Sequence, residues 1–175
     1  AGVADELNTA HREAMLHCGE PGRFDEMCDK MQALVLKAGM PEDVRERIVV
    51  AYRAMGPNVN VAVRSSATGE DGADASFAGM FLSLLNVRGA DAVLAAVARC
   101  WAAAADPRVL AYRAEHGLTA GGLAVLVQSL VDADTAAVVF SVNPTSGAAD
   151  ELVINANWGL GESVVGGLAT PDTWI

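Results

Sequence analysis

The sequence predicts an α+β fold, a helical N-terminal part followed by a mostly antiparallel sheet. Three observations predict it. The first 57 residues carry apolar side chains at helical spacing, with Gly and Pro between the periodic runs. From Leu123 onward, apolar runs of strand length follow one another across short turn segments. No helical stretch separates those runs, so antiparallel pairing is expected, because parallel neighbours need a long crossover.

The elements follow in order. Ala4 to Cys18 reads as a helix with irregular apolar positions, and Glu20-Pro21-Gly22 reads as a turn. Phe24, Met27, Cys28, Met31, Leu34, Val35 and Ala38 then repeat at helical spacing until Gly39 ends the pattern. Pro41 opens a third helix, with Glu42 and Asp43 beside its positive end. Val44, Ile48, Tyr52 and Met55 line one face of it, and Gly56-Pro57 stops it. A strand, a polar loop and a second strand occupy Val61 to Val87. Gly89 to Ala105 is a helix buried along Val93, Leu94, Val97, Cys100 and Trp101. Asp106-Pro107 is an N-cap with proline at the first helical position, and the helix runs to about Glu115. His116 reads as a structural cap near that helix's C-terminus and receives no role. Leu123 to Val131 is nearly all apolar and predicts a buried strand, interrupted by Gln128. Ala136 to Val142 and Glu151 to Ala156 are two further strands, and Thr170-Pro171-Asp172 reads as a turn.

Composition bounds the function. At 175 residues with 52% hydrophobic content, the chain can bury a sizeable core, built mainly from Ala, Val and Leu. A net charge of −10 argues against broad binding to nucleic acid or anionic membrane, which needs a basic face. It does not exclude ATP, which a few local charges and backbone N–H groups can hold. Cys18, Cys28 and Cys100 form no C-x-x-C pair, so reduced thiols in a cytoplasmic protein are expected. No apolar run reaches membrane-spanning length, and no signal peptide is visible. The first residue is Ala rather than Met, which suggests processing or excision from something longer.

The stretch around which the rest is organised is VAVRSSATGEDGADASFAGMFLSLLNV, Val61 to Val87. Its small residues let backbone approach a ligand, and glycine permits conformations that expose successive N–H groups to an anion. Arg64 adds a fixed positive charge with a forked donor geometry that suits phosphate. An ordinary hairpin with a long loop and a surface arginine fits the same residues. Glu70, Asp71 and Asp74 form an acidic cluster that fits a solvated loop face better than a metal site. Later, Trp158-Gly159-Leu160-Gly161-Glu162 lacks the six-residue dinucleotide fingerprint, and no Walker lysine follows a glycine-rich loop. Rossmann and P-loop alternatives are thereby disfavoured.

VAVRSSATGEDGADASFAG, VVFSVNPTSG at Val138 to Gly147 and NWGLGESVVGGLATPD at Asn157 to Asp172 resemble the nucleotide-binding domain of the phosphoenolpyruvate-utilising dikinases. That family includes phosphoenolpyruvate synthase, pyruvate phosphate dikinase and the rifampicin phosphotransferases. The resemblance implies part of an ATP-grasp-like domain over 1–175, with a helical segment over 1–57 and the phosphate loop and sheet over 58–175. It implies ATP and Mg2+ as cofactors, and phosphohistidine and acceptor-binding domains elsewhere in a parent chain. By the same resemblance Arg64 is the catalytic, phosphate-contacting residue, and Gly79, Ser83, Gln128 and Glu162 bind the nucleotide. Gln128 falls where the family docks adenine; a glutamine on the exposed side of its strand fits equally. Glu162 could meet ribose or magnesium, or cap the short helix that follows it.

The match has gaps. The only lysines, Lys30 and Lys37, lie outside the family's N-terminal lysine motif, and its late paired acids do not occur before Ile175. Met80 stands where the family usually has glutamine, and Ser83 where it has threonine. The expectation is an internal piece or truncated homologue of an ATP-dependent phosphotransferase, inactive alone. A rifampicin-type phosphotransferase fragment, or a non-catalytic nucleotide-binding relic, are the alternatives.

Overall fold

The computed structural model describes residues 3–67, 82–116, 122–167 and 169–175. They fall into two compact units, Ala1–Leu130 and Val131–Ile175.

The first unit begins with α1 (Val3–Leu16), α2 (Pro21–Ala38) and α3 (Glu42–Ala54). The expected turn at 20–22 is instead the start of α2, with Pro21 in its first helical turn and Glu20 preceding it. Proline is accommodated there because a first-turn N–H has no intrahelical partner to lose. Gly39 ends α2 at φ 71°, a left-handed conformation that glycine adopts without a Cβ penalty. Ala10 and Ala14 of α1 pack with Phe24, Cys28 and Met31 of α2 and with Leu110 of a later helix. The small alanines let α1 and α2 approach closely, which explains why α1 looked irregular by its large apolar residues.

Strand β1 (Val61–Ala67) is the centre of a three-stranded sheet, between β2 (Ser83–Val87) and β3 (Leu123–Ser129). Both pairings are antiparallel. Helix α4 (Ala90–Ala102) lies against one face, continued by a single 3-10 turn over Ala103–Ala105. Val61 and Val63 of β1 pack there with Val93, Ala96, Val97 and Cys100 of α4 and Tyr52 of α3. Fully burying each valine is worth roughly 1.5–3 kcal/mol. Tyr52 also ties the layers together, donating to the Val59 carbonyl at 2.8 Å and accepting from the Gly89 N–H at 2.8 Å. Helix α5 (Pro107–Glu115) follows, capped by Asp106 as expected. His116 sits at its C-cap and approaches the Tyr112 carbonyl at 2.9 Å, in keeping with a structural role.

Strand β3 is not buried on both faces. Its exposure alternates along the strand, and Leu126 is 50% exposed. Only one side of this sheet is covered by α4; the apolar run continues onto the other side, and periodicity alone could not reveal that.

The second unit holds β4 (Thr135–Phe140), β5 (Val153–Trp158), α6 (Glu162–Val165) and β6 (Asp172–Trp174). The strands form a separate antiparallel sheet in the order β4-β5-β6. The late strands therefore divide between two sheets, because β3 pairs with β1. The expected turn at 170–172 leads directly into β6, whose Asp172 already pairs with Ala156. Between β4 and β5, Asn143 organises the turn. Its Oδ1 accepts from the N–H groups of Thr145 and Ser146 at 2.9 and 3.2 Å, and its Nδ2 donates to Glu151 Oε2 at 2.6 Å.

Candidate functional site

The sheet β2-β1-β3 has a second face, away from α4. Along β1, Val61, Val63, Ser65 and Ala67 are buried toward α4, whereas Arg64 and Ser66 are exposed on the second face, on which Ala62 is buried. Directly paired residues of antiparallel strands share a face. Arg64 pairs with Ser83 on β2 and with Leu126 on β3. Ser83, Arg64 and Leu126 thus form one row across three strands, about 10 Å long at the usual strand spacing. Gln128 pairs with Ala62, one step along the same face, and is exposed.

Three of the residues singled out in the sequence, Arg64, Ser83 and Gln128, therefore share one face, and each is exposed on it. Among the described residues, the Arg64 side chain has no hydrogen bond or ion pair. An ion pair of Arg64 with Glu70 or Asp71 would fall outside the described residues, as does Gly79. Gln128 needs no protein partner, since its amide is open to solvent. Glu162 belongs to the second unit, where it is exposed and opens the four-residue helix α6. Gly161 precedes it at φ 87°, and a Cβ there would lie 3.1 Å from the Ala136 Cβ, so both conformation and space favour glycine. Among the described residues, no three His, Cys, Asp or Glu side chains are grouped to hold a metal ion.

Behind the exposed row the returning strand is pinned. The Leu82 carbonyl accepts from the Ser65 N–H at 3.0 Å and from the Ser65 hydroxyl at 3.0 Å. The Cys100 thiol lies 3.9 Å from the same oxygen and from the Val63 carbonyl. Burial pushes the Cys100 thiol above its ordinary pKa, and burial first, then nearby Asp25, pushes Cys28 up to about 11. Both are inert core thiols by that measure. Sequence reading treated Ser65 only as a small residue. Its hydroxyl partner lies 17 positions away, a pairing that no local pattern records.

The face offers a guanidinium without a partner among the described residues, the Ser83 hydroxyl across from it, the Ser66 hydroxyl further along β1, an amide and one exposed leucine. The guanidinium suits an anionic ligand. No described helix is long and apolar enough to cross a membrane.

Comparison with known proteins bears on what that ligand is. The family model described as "Pyruvate phosphate dikinase, AMP/ATP-binding domain" matches residues 2–175. A probable phosphoenolpyruvate synthase of Methanocaldococcus jannaschii is 46% identical over 153 residues, covering 83% of this chain and 13% of that protein. The phosphoenolpyruvate synthase of Pyrococcus furiosus is 41% identical over 159 residues, covering 87% of this chain and 20% of its own length. The prodigiosin synthesizing transferase PigC of Serratia marcescens is 39% identical over 162 residues, covering 93% of this chain and 17% of that protein. The chain thus spans about a fifth or less of these relatives. With the family model matching nearly end to end, and relatives 39–46% identical over most of its length, this chain belongs to the pyruvate phosphate dikinase AMP/ATP-binding domain family.

Proposed function

We propose that this chain is the ATP-binding part of a dikinase-type phosphotransferase, in which phosphate passes from ATP to a histidine on a separate domain and then to pyruvate or a related acceptor. The observation that carries the proposal is the Arg64 guanidinium, exposed and without a partner among the described residues, on a strand held from both sides in a chain of an AMP/ATP-binding family. Residues 1–175 would form part of that domain, with 1–57 as helical scaffold and 58–175 carrying the phosphate loop and sheet. Arg64 binds the nucleotide phosphates through charge-assisted bonds and steadies the charge that develops during transfer. Ser83, opposite it, donates its hydroxyl to a phosphate oxygen. Gly79 and Gln128 belong to the same proposed site, Gln128 toward the base; Glu162, in the other compact unit, is a nucleotide-binding residue by the family resemblance alone.

ATP in such reactions is used with magnesium, which is commonly held by one or two carboxylates together with the phosphates. A cytoplasmic parent is part of the same proposal, and Cys18, Cys28 and Cys100 as free thiols are in keeping with it.

Labelled ATP tests the proposal. Incubation of the full-length polypeptide with radiolabelled ATP and magnesium is expected to leave label on a histidine. Absence of phosphohistidine at every magnesium concentration would refute it. The likeness to a prodigiosin synthesizing transferase favours a second acceptor class, distinct from pyruvate. Adding pyruvate to the labelled protein separates the two: release of label into a pyruvate-derived product supports the synthase-type acceptor, and retention supports the other.

A further inference from the structure

We infer that Ser65 is a positioning residue for this site, holding strand β2 in the register that sets Ser83 opposite Arg64. The inference rests on the nucleotide site proposed above. Ser65 adjoins Arg64 on β1, but its side chain points to the other face and is 7% exposed. Its hydroxyl and its N–H both donate to the Leu82 carbonyl, each at 3.0 Å. Leu82 immediately precedes Ser83, the residue paired with Arg64.

Register is the quantity at stake. Leu82 and Leu84 pack on the core beneath β1, while Ser83 is exposed on the opposite face. A slip of one residue would exchange them, burying Ser83 and placing leucines beside Arg64. An ordinary ladder supplies only the N–H bond at this position. The serine hydroxyl adds a second bond to the same oxygen, at the end of β2 where the chain returns from the 68–81 segment. Alanine would fill the space and lose the second bond. The hydroxyl therefore acts on the site without touching the ligand, by fixing where the Ser83 hydroxyl stands.

A double-mutant cycle tests this in the full-length polypeptide. Ser65→Ala, Ser83→Ala and the double variant are compared with wild type for ATP-dependent phosphotransfer, scored as kcat and KM for ATP per folded molecule. Each single variant is expected to lower kcat/KM by about tenfold, the upper scale of one neutral hydrogen bond. The double variant should be no worse than Ser83→Ala, because Ser65 acts through Ser83. Losses that multiply to about 100-fold, or an unchanged Ser65→Ala, overturn the inference. Ser65→Cys, near in volume and a weak donor, takes the place of Ser65→Ala under the same criterion if the alanine variant does not fold. Arg64→Ala separates the two levels of the argument. If it retains full phosphotransfer, the nucleotide site is elsewhere and both readings fall. If it is inactive while the cycle is multiplicative, the site stands and only the role of Ser65 falls.

Discussion

Arg64 stands on a strand with ladders on both edges, so its backbone position is fixed, and among the described residues its guanidinium has no ion pair. Positioned donors act strongly on transition-state charge. Arg64→Ala is therefore expected to lower phosphotransfer in the full-length polypeptide by at least about 100-fold. Arg64→Lys should do the same, since the lysine keeps the charge but loses the planar fork. Neither should shift the melting temperature appreciably, because the side chain supports no described contact. If Arg64 instead anchors Glu70 or Asp71, melting falls and activity per folded molecule stays normal. Melting and turnover measured on the same preparations decide between them. The setting VAVRSSATG singles Arg64 out in the sequence; that Ser83 stands opposite it requires the register.

Among elements, α5 depends most plainly on one side chain. Asp106 accepts from the Arg108 N–H at 2.9 Å, and its carboxylate also takes the Arg108 guanidinium at 3.0 and 3.1 Å. The cap holds a helix that contributes Val109 and Leu110 to the core. Asp106→Ala should cost about 1 kcal/mol, read as a lower midpoint in urea denaturation. The Arg108 hydrogen bond is the largest influence on Asp106 and lowers its pKa against an opposing effect of burial. A carboxylate depressed in the folded state adds stability above its unfolded pKa, and that contribution is lost as pH falls through the folded value. The difference between wild type and Asp106→Ala should thus be full at pH 7 and shrink below the ordinary carboxylate range. A difference that grows on acidification would contradict the cap's charged role. This helix was legible in the sequence because Asp-Pro is a local signal with a local cause. Strands β3 and β6 were less so. Leu123 to Val127 are apolar on both faces, so nothing in their pattern marks which side α4 leaves open. Strand β6 is three residues long and exists through pairing with β5, which no local propensity records.

At the scale of the whole molecule, the chain carries ten net negative charges, yet it is asked to receive an anion. On the described face, Arg64 is the cation available to phosphate, and charge-assisted contacts are worth roughly 1.5–3 kcal/mol each. Residues 1–175 alone are therefore expected to bind magnesium-ATP weakly, in the range of about 1 mM or above. Calorimetric titration checks this, and a micromolar affinity would mean that the site has been misplaced. The general class of ligand was legible from a few consecutive residues, whereas its full surroundings were not. Gln128 joins Arg64 through pairing across 64 positions of sequence, and Glu162 lies in a separate compact unit.

Strand β2 carries one residue more than its partner requires. Val61 meets Val87 while Val63 meets Leu84, and Asn86 takes up the surplus at φ 57°, its amide joined to Asn60 at 3.0 Å. Delete Asn86, and Leu84, Leu85 and Val87 would meet Val63, Ala62 and Val61 in an unbroken ladder, each still on its own side. A gene that loses this codon would keep its core and forfeit only the local bend that a bulge imparts. Strand β1 has no such spare position: losing Ala62 would deepen the mismatch to two residues and set Val61 against the wrong face. Variation in length among natural sequences should therefore gather at Asn86 and be scarce along Val61 to Ala67.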